Sequence, residues 1–400
     1  MSETTPTVIY MDNHATTRVD PRVVEAMVPF FSQVYGNAGS INHSLGWDAR
    51  DAVDVARGSI AAALGAEAKE IVFTSGATES NNLALFGVVE RARRRGDHVV
   101  SVATEHKAVL DPLERLARRG MKVTLLPVIP NGERRAGWVE VERVADAIRD
   151  DTCLVSVMLA NNEIGAIHPL AEIGLLCHQR GVTLHCDATQ AVGRIPVDVG
   201  RLNVDLMSFS GHKMYGPKGI GGLYVRRRDP RVRIEPQIVG GGQEGGRRSG
   251  TLNVPGIVGM AKALELAVAG MDAESRRLYA LRNRLFEGLA ESIVDVGLNG
   301  PAVDDPALRL AGNLNVSFRY VDGEALLMSI RRLALSSGSA CTSEDPAPSH
   351  VLRALGLSDD FTRSSVRFGL GRFNTTEEVD LAVGWIRESV ERLRAMSSLA

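Results

Sequence analysis

From Glu70 to Val225 the chain alternates short, continuous apolar runs with helix-patterned stretches, and this rhythm narrows the available folds more than any other feature. The runs are Ile71–Thr74, His98–Val102, Lys122–Leu126, Cys153–Leu159, Val182–Cys186, Val204–Phe209 and Gly221–Val225. Most are apolar throughout, the pattern of strands covered by helices on both faces. Between them lie helical patterns such as Glu79–Arg94 and Val139–Asp150. The sum predicts an α/β fold with a doubly wound, mostly parallel sheet of seven strands. The pattern changes after a glycine-rich loop at Gly240–Gly250. Two helices are expected there, Pro255–Val268 and Ala273–Ser292, then half-buried strands at Asn313–Phe318 and Ser365–Leu370, and a last amphipathic helix from Thr376 to about Met396. This reads as a smaller α+β domain. The expected division is 15–265 for the large domain and 1–14 with 266–400 for the small one.

The sequence has a net charge of −2, with no basic excess of the kind that marks a nucleic-acid binder, so direct DNA binding is not expected. Arg93-Arg94-Arg95 and Arg226-Arg227-Arg228 read as solvated element ends. The start, Met1 to Val8, is polar and lacks the basic and apolar regions of a signal peptide. No run of about 18 apolar residues suggests a membrane span. The cysteines Cys153, Cys177, Cys186 and Cys341 form no CxxC pair, so neither a zinc ribbon nor a thioredoxin-like site is indicated. A reducing, cytoplasmic setting is expected.

Several motifs fall at the ends of expected strands. Ser208-Phe209-Ser210-Gly211-His212-Lys213 presents a lysine that could form a Schiff base with an aldehyde cofactor, beside small polar residues able to hold phosphate. His185-Cys186-Asp187-Ala188-Thr189-Gln190 places an aspartate where α/β sheets bind ligands; it could pair with a protonated ring nitrogen, or simply cap a helix. Adjacent strand residues point to opposite faces, so His185, Cys186 and Asp187 cannot converge on one metal ion. Thr74 to Asn81 reads as strand, glycine turn and helix start, a place for an anion or for ordinary capping. Thr104-Glu105-His106-Lys107 and Asn161-Asn162-Glu163-Ile164-Gly165 add an imidazole and polar groups at the same sheet edge. Chance alone would have to gather all of these at one rim.

The segment Ser336 to Ser343, followed by Glu344-Asp345-Pro346-Ala347-Pro348, has no apolar periodicity and reads as an exposed, mobile loop. A cysteine there, Cys341, suggests reactivity, because cysteine is otherwise among the most buried residue types. Cys153, Cys177 and Cys186 read as core thiols. Gly240 to Gly245 matches GxGxxG literally, but it does not open a helix after a first βαβ strand, so no dinucleotide site is inferred.

Taken in order, these motifs resemble those of the IscS/NifS-type cysteine desulfurases of the class V aminotransferase group. The resemblance runs from about Ile9 to Arg394 and includes Arg248–Thr251 and Arg367–Arg372. It implies the fold-type I pyridoxal-phosphate architecture, with Lys213 holding pyridoxal 5′-phosphate covalently. It implies that Asp187 pairs with the ring nitrogen, that Gln190 bonds the ring oxygen, and that His106 stacks on the ring and moves protons. Ala77, Thr78, Ser210 and His212 would bind phosphate, joined by Thr251 from the second subunit of a homodimer. Asn162 and Arg367 would grip the carboxylate of L-cysteine. Cys341, on a mobile loop at about 336–350, would take the sulfur as a persulfide and pass it to an iron–sulfur scaffold protein or another acceptor. The resemblance leaves open a 2Fe-2S cluster shared between Cys341 and a scaffold; no metal of the chain's own is expected. A transaminase or selenocysteine lyase on the same fold is the competing reading, although transamination needs no acceptor thiol. His14 and Ala38 depart from the family's usual residues, and neither is expected to touch the chemistry. The sequence stops soon after Met396 without the longer tail by which many relatives dock a scaffold, which leaves that partner open.

Overall fold

The computed structural model describes residues 8–92, 96–337 and 348–396. Arg93–Arg95, the Cys341 segment (338–347) and both extreme termini lie outside the described residues. The strands in chain order are β1 (Ile9–Tyr10), β2 (Ile71–Thr74), β3 (His98–Val102), β4 (Lys122–Leu126), β5 (Thr152–Ser156), β6 (Thr183–Asp187), β7 (Leu206–Ser210) and β8 (Gly221–Val225). They continue with β9 (Val296–Leu298), β10 (Asn313–Phe318), β11 (Leu333–Ala334), β12 (Ser336–Ser337) and β13 (Ser365–Gly369).

Strands β2 to β8 form one seven-stranded sheet in the order β2-β8-β7-β6-β5-β3-β4. All its pairings are parallel except those made by β8, which runs against β7 and β2. The expected doubly wound sheet is therefore present. Every residue of β2, β3, β5, β7 and β8 is buried, because helices cover both faces. Val100, Val155, Leu184 and Phe209 join the core on one face; Val72, Val99, Leu154 and Leu206 join the core on the other. The strand following Asp151 is shorter than the sequence suggests. Beyond Ser156 the chain leaves the regular ladder, while Val157 N–H still reaches His185 O and Leu159 N–H reaches Asp187 O. The helix expected at Val139–Asp150 contracts to Val141–Ala147.

A second core gathers Leu314, Val316 and Phe318 of β10 with Val366 and Phe368 of β13 and the apolar face of the helix Thr376–Met396. These strands belong to an antiparallel sheet ordered β12-β13-β10-β9. β1 pairs separately with β11.

Where two helices were expected after residue 254, one continuous helix runs from Val254 to Ser292. Asn253 caps it by accepting from Gly256 N–H, and Pro255 sits in its first turn. The presumed break holds Gly270 but no proline, and a lone glycine costs a helix only about 1 kcal/mol. Packing outweighs that cost. Val254, Ile257, Met260 and Leu264 anchor the first half in the large core, and Leu281, Leu285 and Leu289 anchor the second half in the small one. Part of this helix is apolar and long enough to cross a bilayer by composition, yet half of that stretch is buried inside the protein, as in a core helix.

Candidate active site

The parallel strands end at a common rim. β6 finishes on Asp187, paired with Ser208 of β7, which itself finishes on Ser210. Because β8 is antiparallel, its first residue, Gly221, sits at the same rim between Ser210 and Thr74. A Cβ on Gly221 would lie 2.6 Å from the Gly76 Cα and 2.7 Å from the Phe209 carbonyl oxygen, so only glycine lets the turn after β2 settle there. The helix Ala77–Ala92 begins directly after that turn, and its first-turn N–H groups face the rim as a ready anion site.

One cavity of about 480 Å³ opens at this rim. Its wall contains Ala77, Thr78, His106, Asn162, Asp187, Gln190, Ser210, His212, Lys213 and Arg367. All the expected residues of the described chain thus converge, apart from Thr251. Thr251 is exposed and does not line the cavity of its own chain. Cys341 lies outside the described residues. Its flank differs from the expected open loop: Ser336 is buried and pairs with Arg367 across β12 and β13.

Each side chain is held by neighbours. Asp187 Oδ2 accepts from Asn81 Nδ2 at 2.7 Å and Oδ1 from Thr189 N–H at 2.9 Å. No helix follows Asp187, so it is not a helix cap; its bond to Thr189 N–H closes a turn, and the two bonds together fix the carboxylate at the rim. Glu105, fully buried nearby, accepts from Met158 N–H. Burial first, and the charge of Asp187 second, push its carboxyl well above the usual range. This favours the protonated, neutral form of Glu105.

His106 caps the helix Lys107–Arg118. Its Nδ1 accepts from Ala108 N–H at 3.0 Å, so the neutral ring carries its proton on Nε2. Burial lowers its pKa, opposed by Asp187. Lys213 Nζ donates to the carbonyls of His14 and Ala15 at 2.6 Å each. His212 Nδ1 lies 3.1 Å from Thr16 Oγ1, and burial followed by Lys213 and Lys218 brings its pKa down to about 4. Arg367 is 1% exposed; it donates to Asn162 O at 3.2 Å and to Asp12 Oδ1 at 2.8 Å.

His185 bridges Ser156 and Ser208 within the sheet, and Cys186 is buried, so this dipeptide is structural. Among the described residues no cluster of histidines, cysteines and carboxylates could hold a metal. His14, in contrast, does line the cavity, correcting the expectation that it stands apart from the chemistry. The N-terminal segment reaches the rim through tertiary contacts that sequence patterning does not register.

The wall also contains buried polar atoms without hydrogen-bond partners: His14 Nε2, Asn81 Oδ1, Thr189 Oγ1 and Arg367 Nε. Each would cost about 1–3 kcal/mol if left unsatisfied, so four in one wall fit a polar ligand. A lysine, a fixed carboxylate, a neutral imidazole and a helix N-terminus match the amine, anion, stacking and phosphate needs of pyridoxal phosphate.

The comparisons agree with this geometry. The class-V aminotransferase family model matches residues 9–381. The cysteine desulfurase IscS of Anaeromyxobacter dehalogenans (strain 2CP-C) is 56% identical over 391 residues, covering 98% of this chain and 94% of that one. A solved NifS-like protein superposes with a TM-score of 0.87 at 37% identity, covering 96% of this chain and all of that one. A structure of SspA in complex with cysteine gives a TM-score of 0.79 at 35% identity, with coverage of 92% and 100%. The chain belongs to the class-V aminotransferase family, on its cysteine desulfurase branch.

Proposed function

We propose that this protein uses pyridoxal 5′-phosphate to convert L-cysteine to L-alanine, with Cys341 as the sulfur acceptor. The observation that carries the reading is the convergence of Lys213, Asp187, His106 and Arg367 on one cavity. Bound pyridoxal phosphate supplies an electron sink for the pair released at the substrate Cα.

The chain's own groups do the rest. Lys213 provides the amine that tethers the cofactor and the nitrogen that holds or moves a proton. Asp187, pinned by Asn81 and Thr189, presents a negative charge to the ring nitrogen. Gln190 serves the ring oxygen. His106 stacks on the ring, its Nε2–H fixed by the Ala108 bond. Ala77, Thr78, Ser210 and His212 take the phosphate, and Thr251 serves the site of a second subunit, as its exposure outside its own cavity allows. Asn162 and Arg367 take the substrate carboxylate, a task suited to a guanidinium fork. The net transfer is balanced: L-cysteine and the Cys341 thiol give L-alanine and a Cys341 persulfide.

The working form is a cytoplasmic homodimer divided into domains at 15–265 and at 1–14 with 266–400. The persulfide is delivered to iron–sulfur cluster assembly through a scaffold, or to another sulfur acceptor. Mixing the cofactor-loaded protein with L-cysteine tests the reading. Wild type should yield alanine and a dithiothreitol-labile persulfide, and Cys341→Ala should form no persulfide. A wild-type protein that binds cofactor yet yields neither product would overturn it.

A further inference from the structure

His14 occupies an unusual position in the cavity wall. It is 1% exposed and lines the cavity, yet Nε2 has no hydrogen-bond partner. Its other nitrogen decides what Nε2 carries. Arg194 Nη1 lies 2.7 Å from His14 Nδ1. That guanidinium is anchored by Asn13 O at 2.6 Å and Lys213 O at 3.1 Å, and it can only donate. Nδ1 must therefore accept. Gln190 Oε1 also approaches Nδ1, at 3.0 Å, and would favour a proton there. The closer, charged donor decides against it, while the Gln190 amide N–H is held separately by His14 O at 2.9 Å. The ring is then neutral with its proton on Nε2. Burial, followed by the charges of Arg194, Arg367 and Lys213, holds its pKa well below the ordinary range, so a second proton does not arrive.

The ring edge that carries Nε2 faces β13. A Cβ built on Gly369 would meet His14 Cδ2 at 2.9 Å. Arg367, two residues earlier on the same strand, points to the same face. Its Nε–H is likewise buried without a partner. Two N–H donors thus lie beside one face of β13, on side chains that line one cavity, with no acceptor assigned to either.

We infer that His14 is a substrate-binding residue: its Nε2–H joins Arg367 in cradling the carboxylate of the amino-acid substrate. The inference rests on the desulfurase reading of the site. It makes affinity for the carboxylate depend on a residue contributed by the N-terminal segment.

Calorimetric binding of L-alanine and of L-alaninamide to the cofactor-loaded protein tests it, because the amide lacks only the carboxylate. His14→Ala should weaken L-alanine roughly tenfold to a hundredfold, the range of a charge-assisted hydrogen bond, and change L-alaninamide by less than about threefold. His14→Gln, whose amide can reach the Nε2 position, should restore most of the L-alanine affinity. Equal losses for both ligands would reduce His14 to a packing residue and overturn the inference, as would unchanged L-alanine binding. Alanine production from L-cysteine by the wild type, run in parallel, reports separately on the desulfurase reading.

Discussion

Thiol labelling distinguishes Cys341 from the other cysteines, and the expected contrast can be worked out from their surroundings. Burial pushes the Cys153 thiol up to about 11 and the Cys177 thiol up to about 12, from an ordinary value near 9. Cys186, inside the sheet, is raised well above its usual range by burial, then by the charge of Asp187. At pH 8 the thiolate fraction therefore falls by roughly a hundredfold for Cys153 and a thousandfold for Cys177. A more basic thiolate attacks faster, with a Brønsted slope of about 0.4–0.5, which returns part of the loss. The net penalty is roughly tenfold for Cys153 and fiftyfold for Cys177 before access is counted. Access adds more, since Cys153, Cys177 and Cys186 are 7%, 1% and 0% exposed. The protein should show one fast thiol equivalent with Ellman's reagent at pH 8, and iodoacetamide mapping should place it at Cys341. The Cys341→Ala variant should lose the fast phase entirely. Labelling of any core cysteine at a rate within threefold of the fast one would refute the reasoning, because neither ionisation nor burial would then be controlling reactivity.

Two further outcomes follow from buried charge. Glu244 grips Arg57 with two bonds, at 2.7 and 2.8 Å, and accepts from Phe73 N–H at 2.9 Å, tying the glycine loop to β2. Glu244→Ala leaves the Arg57 charge without its counter-ion, held only by the Ile71 carbonyl, and the Phe73 N–H unpaired, and urea unfolding should register a loss of about 3–5 kcal/mol; a loss below about 1 kcal/mol would deny the pair its structural role. Burial brings the His168 pKa down to about 4, while Val139 N–H donates to its Nδ1. The unfolded chain, with an ordinary histidine near 6.5, binds more protons between those values, so stability should fall as pH drops from about 6.5 to 4. The His168 share of that fall is roughly 3 kcal/mol at most, and His168→Asn should flatten the acid limb of the stability profile.

The sequence alone determined the sheet and most of its rim. Short continuous apolar runs alternating with helical patterns read as strands covered on both faces, and polar motifs directly after them fall at the carboxyl ends of a parallel sheet. That local logic placed Asp187, Lys213, His106 and the turn after Thr74 at one edge. It failed at the helix Val254–Ser292, where packing on two cores overrides a weak glycine signal. It also failed at His14, because no periodicity links a residue before the first strand of the seven-stranded sheet to Gln190, Arg194 and Gly369. The protonation states were equally out of reach. Glu105 and Asp187 are both carboxyl groups in the sequence, and only tertiary structure buries Glu105 so that its neutral form is favoured while it pins Asp187 through Asn81. Strand and helix identity depends on neighbours along the chain, whereas charge and tautomer depend on neighbours in space.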